Sequence, residues 1–285
     1  MLRTSIIVFA AAFALSASAG SKDLGALFGQ LKGLGGKVSP EEERELGRDA
    51  AATLLGAEPA LVDPEVQRYV NQVGLWVALQ SERPELAWRF AVLDDDHVNA
   101  FAAPGGFVFV TKGLLLTLGS ESELAGALGH EVVHVVQKHH LKALTKDKRI
   151  SALSGVAVDK LAGDDPRKKE RVAKVVQGVK TLYARGLDKA DEFAADRAGV
   201  VLAARAGYEP AGLVGVVQKL DALDPSSPGL ALLLKTHPPA VERLAALDEL
   251  FGTGAFDGLT GLEGRGRYRS ALKSLLGAPA PAKKR

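Results

Sequence analysis

Between Ser120 and Leu141 the chain reads SESELAGALGHEVVHVVQKHHL, and no other stretch restricts its fold so tightly. Ser120 and Glu123 have the spacing of a capping box, and the run that follows lacks proline, so a helix starts at a defined residue. That helix is strongly apolar and belongs in a core. Yet four of the chain's six histidines lie on it or just past it. At about 3.6 residues per turn, His130 and His134 stand one above the other, with Glu131 beside them. Two imidazoles so placed can reach one ion, and a neighbouring carboxylate can take a proton from water held there. The spacing equally suits satisfied histidines of an ordinary buried helix, and the H-E-x-x-H pattern by itself leaves both readings open.

A catalytic zinc site needs a third protein ligand and an open position. His140 follows His134 by six residues, but use of that position requires the chain to leave the helix through a glycine at 137, and this sequence has Gln137. In a continuous helix His140 would lie roughly 15 Å along the axis from His130 and about 80° around it, too far to share an ion. His139 fails for a similar reason. Both are expected to be polar residues near a helix carboxyl end, where positive charge is favourable. The other source of a ligand is LDKADEFAADRAGVVLAARAGYEP, a helical segment opened by Asp188 and closed by Gly207 and Pro210. Glu192 and Asp196 share one face among alanines small enough for close packing. Glu192 could ligate while Asp196 accepts the free ring N–H of a ligating histidine. A solvated acidic pair beside Arg197 fits the same spacing.

The remaining chain frames this helix pair. With 285 residues, 47% of them hydrophobic, the chain can bury a large core. Its 36 basic and 34 acidic residues nearly balance, and no basic arm is present, so a nucleic-acid partner is not expected. Arg3, the apolar SIIVFAAAFAL and ASA before Gly20 read as a cleavable signal over residues 1–19, too short to span a bilayer. Export to a periplasm follows, or secretion. With no cysteine there is neither a disulfide nor a lipid-anchored terminal cysteine. A glycine-rich stretch over 20–38 reads as a flexible leader, 39–276 as the folded domain and 277–285 as a tail.

Within the domain, apolar periodicity predicts helices over 40–55 and 63–80, the second capped by Asp63 ahead of Pro64. WRFAVLD (88–94), VNAFA (98–102) and FVFVT (107–111) predict strands, with APGG as the turn between the last two. The fold class is therefore α+β, mainly helical, with a small antiparallel sheet beside the H-E-x-x-H helix. From Ser120 onward helices continue, broken at 163–169, 207–210 and 236–239.

HEVVH followed some sixty residues later by EFAAD resembles the gluzincin metallopeptidases of peptidase family M48, the HtpX-, BepA- and Ste-like proteases. VNAFAAPGGFVFVTKGLL, ESELAGALGHEVVH and THPPAVERLAAL are similar to further segments of that family, in the same order. LGRDAAATLLG and VQRYVNQVG resemble the opening helices of its soluble periplasmic members. Two departures stand out: the chain lacks the transmembrane helices of the membrane-embedded branches, and fewer than forty residues follow Leu247, too few for the tetratricopeptide repeats of the periplasmic branch. An arginine usual before the ligand glutamate is matched only by the offset Arg185.

The resemblance implies a zincin-like domain holding one Zn2+ through His130, His134 and Glu192, with Asp196 behind them and Glu131 as general base. It implies an edge strand for extended polypeptide, formed by Asn99, Gly105, Gly106, Phe107, Val108 and Phe109. His237 and Arg243 would stand near the metal, either as oxyanion stabilisers or, for His237, as a gate in the open position. The implied function is zinc-dependent cleavage of unfolded or misassembled envelope proteins, with outer-membrane assembly machinery as an implied partner. A zinc-containing chaperone that binds such proteins without cutting them is the alternative, and zinc-dependent hydrolysis of a non-peptide bond a third reading.

Overall fold

The computed structural model describes residues 39–146 and 185–277. The expected signal, leader and tail beyond Gly277, and the helix break expected at 163–169, lie outside the described residues.

Helix α1 spans Pro40–Ala57 and α2 spans Pro64–Ala78. Asp63 caps α2 as predicted, its Oδ1 accepting from the backbone N–H groups of Glu65 and Val66 at 3.1 Å each. Such a cap contributes about 1 kcal/mol. Val66, Val70, Val73 and Val77 form the buried stripe of α2, each burial being worth about 1.5–3 kcal/mol, so packing holds this helix and the cap fixes where it starts.

Three strands follow: β1 (Arg89–Leu93), β2 (Ala100–Ala103) and β3 (Phe107–Thr111). β2 and β3 form the expected antiparallel hairpin, turning through Gly105 at φ 76° and Gly106 at φ 99°. The sheet as a whole is mixed, in the order β1-β3-β2, with β1 parallel to β3. Its cause lies on the far side of β1. There Gln67 of α2 accepts from the N–H of Val92 and donates to its carbonyl, Asn71 accepts from the N–H of Phe90, and Ala60 bridges Leu93. With that side closed, β3 takes the centre and pairs along both sides. The expectation that Phe107, Val108 and Phe109 offer an edge to another chain is therefore corrected. Gly105 and Gly106 belong to a turn packed against Arg44 and Trp88, and are not on an open edge either. Of the residues expected there, Asn99, just before outer strand β2, remains at the cleft.

After α3 (Lys112–Thr117) comes α4 (Glu121–Val136), the histidine helix, buried along nearly its whole length. Ser120 Oγ accepts from the Glu123 N–H, and the Glu123 carboxylate accepts from the Gly119 N–H, one residue earlier than a standard capping box. Glu121, also buried, receives the hydroxyls of Tyr69 and Tyr208 at 2.9 and 3.0 Å and the guanidinium of Arg267. That clamp fixes the start of α4.

α5 (His139–Lys146), α6 (Lys189–Arg205) and α7 (Gly212–Asp221) come next. A 3-10 turn at Pro228–Leu230 leads into α8 (Ala231–Thr236), α9 (Ala240–Phe251), α10 (Arg265–Ala271) and α11 (Lys273–Leu276). α4 runs through the middle, with α2, α6, α7 and the sheet around it. Gly129 and Gly199 set the approach of α4 to α6: a methyl on Gly129 would lie 2.8 Å from the Gly199 carbonyl oxygen. Glycine in a helix costs roughly 1 kcal/mol relative to alanine. Here it lets the two helices that carry the acidic and imidazole groups touch backbone to backbone.

Candidate metal centre

The spacing argument for α4 and α6 holds in three dimensions. His130 and His134 point the same way from α4, their Nε2 atoms 3.0 Å apart, and Glu192 of α6 brings its carboxylate to 3.5 Å from His130 Nε2 and 3.6 Å from His134 Nε2. All three are buried, and one ligand atom from each falls within 4.8 Å of the others. Glu192 Oε2 accepts no hydrogen bond among the described residues, although such groups are normally satisfied.

These donors fit a cation. Two facing imidazole nitrogens at 3.0 Å repel through their lone pairs unless a proton or a metal ion lies between them. Burial opposes protonation of His130, but the carboxylates of Asp196 and Glu192 outweigh it and lift its pKa to about 10. Burial, then the charge of His130, holds His134 well below the usual imidazole range. Burial alone would raise Glu192, yet His237, His130 and Arg243 bring its carboxyl down to about 2. The pocket thus favours positive charge, and a divalent ion in place of the proton would satisfy both nitrogens and the orphaned oxygen. Two nitrogens and a carboxylate are a donor set suited to zinc.

Around this trio the structure assigns partners. Asp196, fully buried, accepts from His130 Nδ1 at 2.8 Å, in the place expected for it. Arg243 of α9 donates its Nε and Nη2 to Asp196 at 2.8 and 2.6 Å. The expectation that Arg243 faces an oxyanion changes accordingly: these donors hold Asp196, and through it the His130 ring. Glu131 lies beside His130 with burial as the main influence on its carboxyl, pushed up to about 7, where it can both take and give a proton near neutrality.

His237, just past α8, turns its Nε2 toward the trio, 3.5 Å from Glu192 Oε2. Its Nδ1 is 2.9 Å from Thr236 Oγ1, and that hydroxyl gives its proton to the carbonyls of Leu232 and Leu233 at 2.9 and 3.2 Å. The hydroxyl can therefore accept from His237 Nδ1, which would leave a lone pair on Nε2, while the Glu192 carboxylate facing Nε2 suits a proton there; the surroundings admit either tautomer. Burial keeps the ring neutral, its pKa down at about 4.

His139 and His140 are not where a continuous helix would carry them. α4 ends at Val136, and Lys138 takes φ 59° before α5 begins. Glu43 of α1 grips the Lys138 ammonium at 2.9 Å, and Arg83 reaches Glu43 and the Val135 carbonyl. This break folds His139 beneath His134, buried, with 2.9 Å between their Nδ1 atoms. It also brings His140 to the cleft wall alongside Asn99, Glu131, His134, Glu192 and His237. Neither placement was expected, and no glycine, proline or asparagine at 137–138 announces the break. In the same cleft Asn99 is buried, its Oδ1 taken by the Ala100 N–H while its Nδ2 has no partner among the described residues.

Residues 64–251 match the family described as Peptidase family M48. The chain is 29% identical over 218 residues to the beta-barrel assembly-enhancing protease of Escherichia coli (strain K12), covering 74% of this chain and 44% of that protein. The protein of the same name from Yersinia pestis is 27% identical over 219 residues, with the same coverage. The mitochondrial metalloendopeptidase OMA1 of Arabidopsis thaliana is 31% identical over 167 residues, 58% of this chain and 32% of its own length. The chain thus spans less than half the length of these relatives. Among the described residues no helix is long and apolar enough to cross a membrane.

Proposed function

This chain belongs to peptidase family M48, and from that premise we propose that it is a zinc-dependent endopeptidase that cleaves unfolded or misassembled envelope proteins. The observation that carries the reading is the buried His130, His134 and Glu192 cluster with Glu131 beside it. A structural metal site has no use for a general base. His130, His134 and Glu192 would hold one zinc ion. When bound, zinc supplies Lewis acidity at a scissile carbonyl and makes water more acidic.

The chain's own groups do the rest. Glu131 takes a proton from the attacking water and passes it to the leaving amine, a task its pKa near 7 suits. The unpartnered Asn99 Nδ2 donates to a main-chain carbonyl of an extended substrate lying beside β2, where Ala100 and Phe101 line the cleft. Main-chain recognition of that kind tolerates many sequences. We assign His237 the part of a gate. In the tautomer with its proton on Nδ1, a neutral His237 has no hydrogen on Nε2 to give to an oxyanion, but it has a lone pair to place in the open position. A gate suits a protease of loose specificity.

The folded domain is assigned to residues 39–276. Placement in the periplasm, or secretion, rests on the signal-like residues 1–19, and a link to outer-membrane assembly on the printed names of the Escherichia coli and Yersinia pestis relatives.

The test uses the purified chain on casein, with and without chelator, beside Glu131→Gln. The expected result is chelator-sensitive cleavage that falls by about 10²–10⁴-fold in Glu131→Gln at full zinc content. Equal cleavage by both proteins would overturn the peptidase reading, and binding of unfolded substrate with no cleavage by either would favour the chaperone.

A further inference from the structure

A histidine binds a metal through one ring nitrogen only if the other carries the proton, and something must accept from that N–H. For His130 the acceptor is Asp196. Among the described residues no carboxylate lies against His134 Nδ1. That nitrogen meets the Nδ1 of His139 at 2.9 Å, and either ring could in principle be the donor.

The far side of His139 decides between them. There Nε2 lies 3.0 Å from Gln137 Oε1 and 3.4 Å from an Asp191 carboxylate oxygen, and a carboxylate only accepts. Nε2 of His139 therefore carries its proton. Its Nδ1 is then a lone pair, and the hydrogen between the two rings belongs to His134, whose Nε2 is left bare toward His130 and Glu192. We infer that His139 is a positioning residue for the metal: it fixes the tautomer and ring orientation of His134 by relaying the acceptor character of Gln137 and Asp191 across 2.9 Å. The two histidine ligands are thus set by unlike devices, a carboxylate pinned by arginine for His130 and a second imidazole for His134.

The relay depends on the break after Val136. In an unbroken helix, residue 139 would be five positions beyond 134 and about 140° around the axis, unable to meet its ring. The left-handed Lys138 turns the chain back so that the first residue of α5 lies under the ligand. Asp191 sits one residue before Glu192, so α6 provides both the third ligand and the end of the relay.

This inference rests on the proposed ligand set of His130, His134 and Glu192, and the experiment separates the two. The full chain, stripped of metal, is titrated with Zn2+ against a chromophoric chelator, with thermal unfolding of each metal-free protein as the measure of folding. Wild type should bind one Zn2+ and His134→Ala none. His139→Phe, which fills the space but accepts no proton, should bind about 10–100-fold more weakly. His139→Gln, whose amide oxygen can accept from His134, should recover most of that loss. Long-range 1H–15N spectra of the zinc-bound wild type should show His139 with its proton on Nε2 and His134 with its proton on Nδ1. Unchanged affinity in His139→Phe, equal losses in the Phe and Gln variants at equal stability, or a proton on His139 Nδ1 would each overturn the relay. Full Zn2+ binding by His134→Ala would instead overturn the ligand set.

Discussion

At the scale of single residues, two side chains near the cluster have opposite expected signatures. If His237 is the proposed gate, its removal in His237→Ala should raise basal proteolysis at unchanged thermal stability and zinc content. A fall of two to three powers of ten would instead make it an oxyanion donor, the loss expected for one such hydrogen bond. Arg243 forms a bidentate ion pair with Asp196, which is wholly buried. Arg243→Ala leaves that carboxylate charged and unpaired apart from His130, a change that typically costs about 3–5 kcal/mol. Urea unfolding should show a loss of that size, and zinc titration a weaker site. Normal stability with reduced turnover alone would return Arg243 to the substrate side. His237 and Arg243 were legible as participants from their place in THPPAVERLAAL, but not their targets, because a motif fixes where a side chain starts and not which buried charge it meets.

Between elements, the decisive contact is the crossing of α4 and α6. A methyl on Gly199 would stand 2.8 Å from the His130 backbone nitrogen and 3.1 Å from the Gly129 carbonyl carbon, atoms that cannot swing aside. Overpacking of that kind costs about 1–3 kcal/mol, more than the roughly 1 kcal/mol that alanine gains over glycine in a helix. Gly199→Ala should therefore lower the melting temperature and weaken zinc binding, since α6 carries Glu192 two turns away. Gly266→Ala on α10, where an added methyl meets nothing within 4 Å outside its own helix among the described residues, is the control and should be neutral or slightly stabilising. If both variants gain stability, close approach of these helices does not hold the site. The alanines around Glu192 signalled the tight packing in the sequence, whereas the glycine facing glycine was visible only once the helices were paired.

Across the whole molecule, α1 lies ahead of the family-matched residues 64–251 and yet reaches the metal region through one side chain. Glu43 is 1% exposed and joins Arg83 at 2.7 and 3.1 Å and Lys138 at 2.9 Å. Burial pulls its pKa upward, but the hydrogen bonds and charges of Arg83 and Lys138 prevail and set it below the ordinary 4.5. A carboxyl whose pKa is lowered by folding stabilises the fold fully above its unfolded pKa and loses that contribution as pH falls through the folded one. Thermal unfolding should therefore show wild type losing stability below about pH 4.5 more steeply than Glu43→Gln, with the variant the less stable of the two at pH 7. Parallel acid profiles would show that this brace contributes nothing.

Much of this protein follows from its sequence because helix geometry is indifferent to context. Residues four apart share a face in any fold, so the pairing of His130 with His134 and of Glu192 with Asp196 could be read directly, as could the cap at Asp63 and the three strands. Tertiary structure alone decided that β3 would lie in the centre, since α2 and residues 59–61 closed the far side of β1. It alone decided that α4 would break at Lys138. A left-handed non-glycine residue costs roughly 1–2 kcal/mol, a price no local signal predicts, and here Glu43, almost a hundred positions earlier, engages the side chain that adopts it. His139 and His140 reach the site only because of that break, as long-range packing overrides the helical phase that their spacing from His134 would impose.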